Sequence, residues 1–96
     1  MMRDYENVVI IDPSIGKDNI EKKITKIEEL IREHDGELIS TQKWGARKLA
    51  YPIKKLDTGF YVVFTFRAKS EKIELFKKKL KLESDIIRYG IFKKGG

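Results

Sequence analysis

Apolar residues crowd the start of the chain. Tyr5, Val8, Val9, Ile10 and Ile11 form a nearly continuous run of strong β formers, which Asp12-Pro13-Ser14 and then Gly16 break. Such a run, bounded by turn residues, predicts a strand buried on at least one face. The period then changes to that of a helix. Ile20, Ile24, Ile27, Leu30 and Ile31 make one stripe, and Lys22, Lys23, Glu28, Glu29 and Glu33 fall away from it. Asp18, with Glu21 three residues on, is expected to cap this helix, and Gly36 to stop it as a left-handed residue.

A second strand is predicted from near Glu37 through Leu38, Ile39, Thr41 and Trp44, with Gly45 as a bulge, toward Leu49, Tyr51 and Ile53. Pro52 marks it as an edge strand, since proline donates nothing to a ladder. Asp57-Thr58-Gly59 reads as a turn. Beyond it Phe60, Val62, Phe64 and Phe66 alternate with Tyr61, Val63, Thr65 and Arg67, so one face of a third strand is wholly apolar and the other presents Tyr61 and Val63 outward. Ser70 is a candidate N-cap for a helix carrying Ile73, Phe76 and Leu80, and Ile86, Ile87, Tyr89, Ile91 and Phe92 form a last strand.

The order β-α-β-β-α-β predicts an α+β, ferredoxin-like fold: a four-stranded antiparallel sheet with two helices on one face, joined by right-handed crossovers. The other sheet face is expected to be uncovered. A chain of 96 residues fits one domain, taken as 1–96 with 93–96 as a short frayed C-terminal tail. A hydrophobic fraction of 41% is enough for a folded core, so the charged fraction of 38% is read as surface.

Charge changes the picture most. Residues 1–42 carry six Lys/Arg against ten Asp/Glu, a balance of −4, whereas residues 43–96 carry fifteen against five, a balance of +10. The basic half points to a polyanion such as RNA, whose condensed counterions are released when cations bind. The chain has no cysteine, which removes disulfides, thiolate metal sites and cysteine nucleophiles and fits the cytoplasm. Neither a signal peptide nor a membrane span is expected, because no apolar stretch approaches the roughly 20 residues a bilayer requires.

Trp44-Gly45-Ala46-Arg47-Lys48-Leu49-Ala50-Tyr51-Pro52-Ile53-Lys54 resembles the signature of the bacterial small-subunit ribosomal protein six family, with its Gly, basic pair and Leu-Ala-Tyr-Pro-Ile. Arg3, Tyr5 and Glu6 resemble that family's opening Arg-x-Tyr-Glu, and Thr58-Gly59-Phe60-Tyr61 its entry into strand three, so the likeness covers essentially the whole chain. The resemblance implies a non-catalytic, RNA-binding constituent of the small ribosomal subunit. It implies binding to the central domain of small-subunit rRNA together with ribosomal protein eighteen, with no cofactor, metal, membrane or small-molecule substrate. Carried over by position, Arg47 and Lys48 are the first candidates for phosphate contacts, followed by Tyr51. Regular alternation would put Arg47 and Lys48 on opposite sides of the strand. Arg3 and Arg88 are further RNA-binding candidates, expected to lie close on one surface because the first and last strands are neighbours in this fold; Tyr61 and Val63 are the candidates for docking the partner. Many family members continue past the last strand into a longer tail, and no tail contact is carried over to this sequence, which stops at Gly96.

Other chemistry is thinly represented. His34 is the only histidine and is read as a helix-end or surface residue; the Glu28, Glu29 and Glu33 carboxylates are read as ion-pair partners. Trp44 is read as packing along a hairpin rather than stacking on a base, while the Lys77-Lys78-Lys79-Lys81 cluster suits RNA and a solvated face equally. An RNA-recognition-motif domain shares the element order, but Gly59-Phe60-Tyr61-Val62-Val63-Phe64 lacks its stacking pair. An acylphosphatase would need an arginine-bearing anion cradle where Asp12-Pro13-Ser14-Ile15-Gly16-Lys17 stands, and a pure protein-interaction scaffold would leave the basic half indifferent to RNA.

Overall fold

The computed structural model describes residues 2–94. Strand β1 (Met2–Ile11) is followed by helix α1 (Lys17–Glu33), the long strand β2 (Glu37–Ile53), β3 (Leu56–Lys69), helix α2 (Ile73–Lys81) and β4 (Ile86–Lys93). The strands form one antiparallel sheet in the order β2-β3-β1-β4, the ferredoxin-like arrangement. Tyr5 pairs with Phe66, Asn7 with Phe64 and Val9 with Val62, so these positions of β1 and β3 face the same way. They meet Ile20, Ile24, Ile27, Leu30 and Ile31 of α1 and Ile73, Phe76 and Leu80 of α2 in a single core. Each such aliphatic or aromatic side chain contributes about 1.5–3 kcal/mol by burial. Asn7 is the exception: its side chain is fully buried, its Nδ2 donates to the Gly90 carbonyl at 3.0 Å, and its Oδ1 has no partner.

Helix starts and stops differ from the sequence reading. Asp12, not Asp18, is the side chain that caps, accepting from the Ser14 N–H at 2.9 Å at the head of a 3-10 turn, Pro13–Ile15. Helix α1 then starts after Gly16 without a side-chain cap, and Asp18 sits in its first turn, where it favours the positive end of the dipole. The left-handed residue after α1 is Asp35 (φ 61°), while Gly36 is required because a Cβ there would lie 2.6 Å from the Ile31 carbonyl oxygen. His34 closes α1, its Nδ1 2.8 Å from the Leu30 carbonyl and its ring edge toward Phe76. Ser70 opens a 3-10 turn, Ser70–Lys72, and gives α2 no side-chain cap.

The turn between β2 and β3 is also displaced. It is Lys54-Lys55, both in the left-handed region (φ 51° and 67°) and flanked by the Ile53–Leu56 pair, the geometry of a two-residue hairpin of the primed kind. Asp57-Thr58-Gly59 belongs to β3, and Gly59 is needed there because a Cβ would meet Ile10 Cγ2 at 2.3 Å. Gly45, at φ 86°, does sit at a bulge of β2, and Pro52 does lie on an edge strand. At the C-terminus Lys93 pairs with Tyr5 and the Lys94 N–H donates to the Asp4 carbonyl at 2.8 Å. Lys93 is therefore the last residue of β4 and Lys94 is tied to β1, neither of them frayed; the rest of the proposed tail, Gly95 and Gly96, lies outside the described residues. No described helix is long and apolar enough to cross a membrane.

The helices are pinned to the sheet's far loop by charge. Glu83, after α2, accepts from Lys23 at 2.5 Å and pairs with Lys26 at 3.0 Å, while Lys23 also lies 3.5 Å from Asp85. The Lys23 ammonium holds the Glu83 carboxyl below its ordinary value of 4.5, against the opposing push of burial.

Both the hairpin turn and the Glu83 ion pairs can be tested through stability. Lysine has no preference for the left-handed region, so Lys54→Asn with Lys55→Gly should stabilise the fold by about 1 kcal/mol or more, read as a higher urea midpoint; an unchanged or lower midpoint contradicts the turn assignment. The folded-state pKa of Glu83 is depressed, so its contribution is complete above the unfolded value of 4.5 and is lost as pH falls through the lower folded value. Glu83→Gln should therefore lower stability at pH 7 and flatten the acid limb of the stability curve; a parallel shift at all pH values contradicts this.

Candidate nucleic-acid interface

Regular alternation on β1, β3 and β4 assigns the face opposite the helices. It carries Glu6, Val8 and Ile10 from β1, Tyr61, Val63 and Thr65 from β3, and Arg88, Gly90 and Phe92 from β4, with Ile10 opposite Tyr61 and Arg88, and Val8 opposite Val63 and Gly90. A shallow apolar groove of about 280 Å³ runs there, lined by Val8, Ile10, Arg88, Tyr89, Gly90 and Phe92. Of the two residues expected to dock a partner, Tyr61 is half-buried and Val63 is only 3% exposed, hemmed by Val8 and Gln42 on its neighbouring strands. Most of the apolar surface offered here belongs to Phe92, 58% exposed, which the sequence reading left out. Its signal was available in principle, because Arg88, Gly90 and Phe92 fall on one side of a regular strand.

One end of this face is not bare. Leu49 is buried although it belongs to an edge strand, and it approaches the space above Gly59 that Ile10 also fills. Two residues further on, Tyr51 reaches Arg88 on the opposite edge strand: the Arg88 Nη1 donates to the Tyr51 hydroxyl, and the guanidinium lies 5.3 Å from the ring centroid. A cation–π contact and a hydrogen bond on the same pair fix both side chains across β3 and β1. The expected uncovered face is thus bridged at its hairpin end.

Basic candidates gather around that bridge. Arg47 and Lys48 pair with Gly59 and Thr58 on β3, so they project to opposite sides as alternation requires, and both are exposed. The Arg47 guanidinium lies 5.4 Å from the centroid of the half-exposed Trp44 ring, which places Trp44 along the hairpin and leaves part of the indole open. The hairpin end therefore carries Arg47, Tyr51 and Arg88 on the open face and Lys48 on the other side of β2.

Arg3 is not with them. β1 and β4 are neighbours, but they run antiparallel, and Arg88 pairs with Ile10, seven residues along β1 from Arg3. At about 3.4 Å per residue that is roughly 24 Å. Odd and even positions also face opposite ways, so the expected closeness of Arg3 and Arg88 is corrected: topology made the strands adjacent, while direction and parity separated the residues. Arg3 instead lines a cleft of about 440 Å³ at the terminal end of the sheet with Met2, Asp4, Arg67, Lys93 and Lys94. There the Arg67 Nε donates to Asp4 Oδ1 at 2.8 Å, which holds the Asp4 carboxyl below its usual range.

The remaining candidates occupy the helix side or its margins. Glu28 accepts from the Thr41 hydroxyl at 2.6 Å, and Lys77 pairs with Glu74 at 3.4 Å, leaving Lys78, Lys79 and Lys81 exposed. No cluster of three or more His, Cys, Asp or Glu with metal-binding geometry exists among the described residues.

Comparison with known proteins agrees with this geometry. The family model described as "Ribosomal protein S6" matches residues 4–93. The small ribosomal subunit protein bS6 of Fusobacterium nucleatum is 36% identical over 96% of this chain and 98% of its own, and that of Carboxydothermus hydrogenoformans is 35% identical over 93% of each. The crystal structure of 30S ribosomal protein S6 from Thermotoga maritima superposes with a TM-score of 0.93 at 28% identity, covering 98% of this chain and 89% of that one. The C-terminal domain of MgtC from Mycobacterium tuberculosis, at 13% identity and a TM-score of 0.66, shares the fold alone. With a matching family model over nearly its whole length and relatives of equal extent, the chain belongs to the ribosomal protein S6 family.

Proposed function

We propose that this protein is a non-catalytic constituent of the small ribosomal subunit that binds the central domain of its rRNA together with ribosomal protein eighteen. The observation that carries this reading is the juxtaposition, in a chain of the ribosomal protein S6 family, of an apolar groove on the open sheet face with a basic hairpin end. Arg88 lines that groove and holds Tyr51 of the edge strand β2, which also carries Arg47 and Lys48, and Arg3 lies at the far end of the same sheet. In this reading Arg47 and Lys48 contact phosphates, Arg88 and Tyr51 act as one prearranged unit, and Tyr61, Val63 and the adjoining Phe92 meet the partner protein. A planar guanidinium already held by an aromatic hydroxyl loses little entropy on meeting a phosphate.

The test is binding to a central-domain rRNA fragment, with and without ribosomal protein eighteen, across a salt series. Tight binding that requires the partner is expected. Arg47→Gln with Lys48→Gln should weaken it and reduce the salt slope by about one for each phosphate no longer neutralised. No binding in either mixture at low salt overturns the reading.

A further inference from the structure

The terminal end of the sheet holds the other concentration of charge. Four cations, Arg3, Arg67, Lys93 and Lys94, line one cleft around a single carboxylate, Asp4. They come from three adjacent strands, β1, β3 and β4; by register Arg67 and Lys94 stand with Asp4 on the open-face side and Arg3 and Lys93 on the other, and all four line the cleft where the sheet ends. The group is also held in place. Asp4 pairs with Arg67 across the β1–β3 ladder, and the Lys94 N–H is bonded to the Asp4 carbonyl.

Ion pairs already occupy part of the lysine-rich surface: on the helix side Lys23 and Lys26 are paired with Glu83, Lys43 with Glu21, Lys72 with Asp35 and Lys77 with Glu74, whereas Lys78, Lys79 and Lys81 stand exposed along a single helix. In the cleft Arg3, Lys93 and Lys94 form no ion pair among the described residues, and Asp4 occupies only the Nε of Arg67. Among the described residues lining the cleft, four cations face one carboxylate, an excess of three positive charges, with Arg67 already oriented by Asp4. That is a receptor for a polyanion carrying closely spaced phosphates.

We propose that the cleft formed by Arg3, Arg67, Lys93 and Lys94 is a second binding site for RNA backbone phosphates, separate from the hairpin-end group. It rests on the reading that this chain binds RNA. The two sites lie at opposite ends of β1, roughly 24 Å apart, so the protein holds the RNA at two places along the sheet rather than at one. Asp4 orients Arg67, and its single carboxylate repels a phosphate diester less strongly than the four cations around it attract it.

Two measurements test the site. The triple variant Arg3→Gln, Lys93→Gln, Lys94→Gln leaves the Asp4–Arg67 pair and the hairpin end untouched. With the rRNA fragment and the partner protein, its salt slope should fall by about two to three relative to the unmodified chain and its affinity at about 0.1 M salt by roughly tenfold or more. An unchanged slope, in a chain that itself binds, overturns the second site while leaving the function standing. The other measurement is independent of the rRNA: tripolyphosphate titrated into the full chain, with poly-glutamate in parallel, followed by amide and guanidinium NMR shifts. Shifts from tripolyphosphate concentrated at Met2–Asp4, Arg67, Lys93 and Lys94 are expected, even if the rRNA fragment fails to bind. Equal shifts at Lys22, Lys78 and Lys79, or a cleft responding only to poly-glutamate, as an acidic protein partner would require, overturn it.

Discussion

The pairing of β1 with β3 is the constraint on which the other features depend. With Val9 opposite Val62 and Tyr5 opposite Phe66, every apolar residue that the helices need is on one side of the sheet, and Asp4, Glu6, Thr65 and Arg67 are on the other. A slip of one residue would drive Asp4 and Glu6 into the helix-facing core, at a cost of several kcal/mol for each unpaired charge. The same register sets Ile10 beside Gly59, and the absence of a Cβ at Gly59 makes room for Ile10 and Leu49 to close together above the strand. From there the chain continues to Tyr51 and its contact with Arg88. The functional surface is thus an outcome of strand register.

Charge is arranged on this frame by pairing as much as by composition. The acidic first half of the chain supplies Glu21, Asp35 and Glu28 to the helix side, where the lysines and a threonine of other elements consume them. The basic second half supplies both ends of the open face. An exposed ion pair is worth at most about 1 kcal/mol, so the helix-side pairs matter less for stability than for leaving that side near neutrality. Besides the exposed Lys78, Lys79 and Lys81 of α2, positive charge then remains at the two ends of the sheet, with Arg88 lining the groove itself.

Much of this was legible in the sequence. The stripe from Ile20 to Ile31 and the alternation from Phe60 to Arg67 each repeat one period over enough residues to fix an element, and the element order fixes the topology. The bulge at Gly45 and the edge position of Pro52 follow from single-residue backbone rules. What failed was what depends on tertiary context. Nothing in Lys54-Lys55 announces two left-handed residues, and Gly59 looked like a turn residue because a close approach by Ile10 cannot be read from its neighbours in sequence. The separation of Arg3 from Arg88 needed strand direction as well as adjacency. Val63 alternates outward yet is covered by its flanking strands, and the buried Asn7 stands in an apolar run that gives no sign of it.

In the proposed function one face of this sheet serves two partners at once, protein in the groove and RNA on the rim. Photo-crosslinking in the assembled small subunit tests it directly, with a benzoylphenylalanine placed at position 92 in one chain and at position 47 in another. A protein adduct from position 92 and an RNA adduct from position 47 are expected. RNA captured from position 92, with protein captured from position 47, would contradict the division of the face.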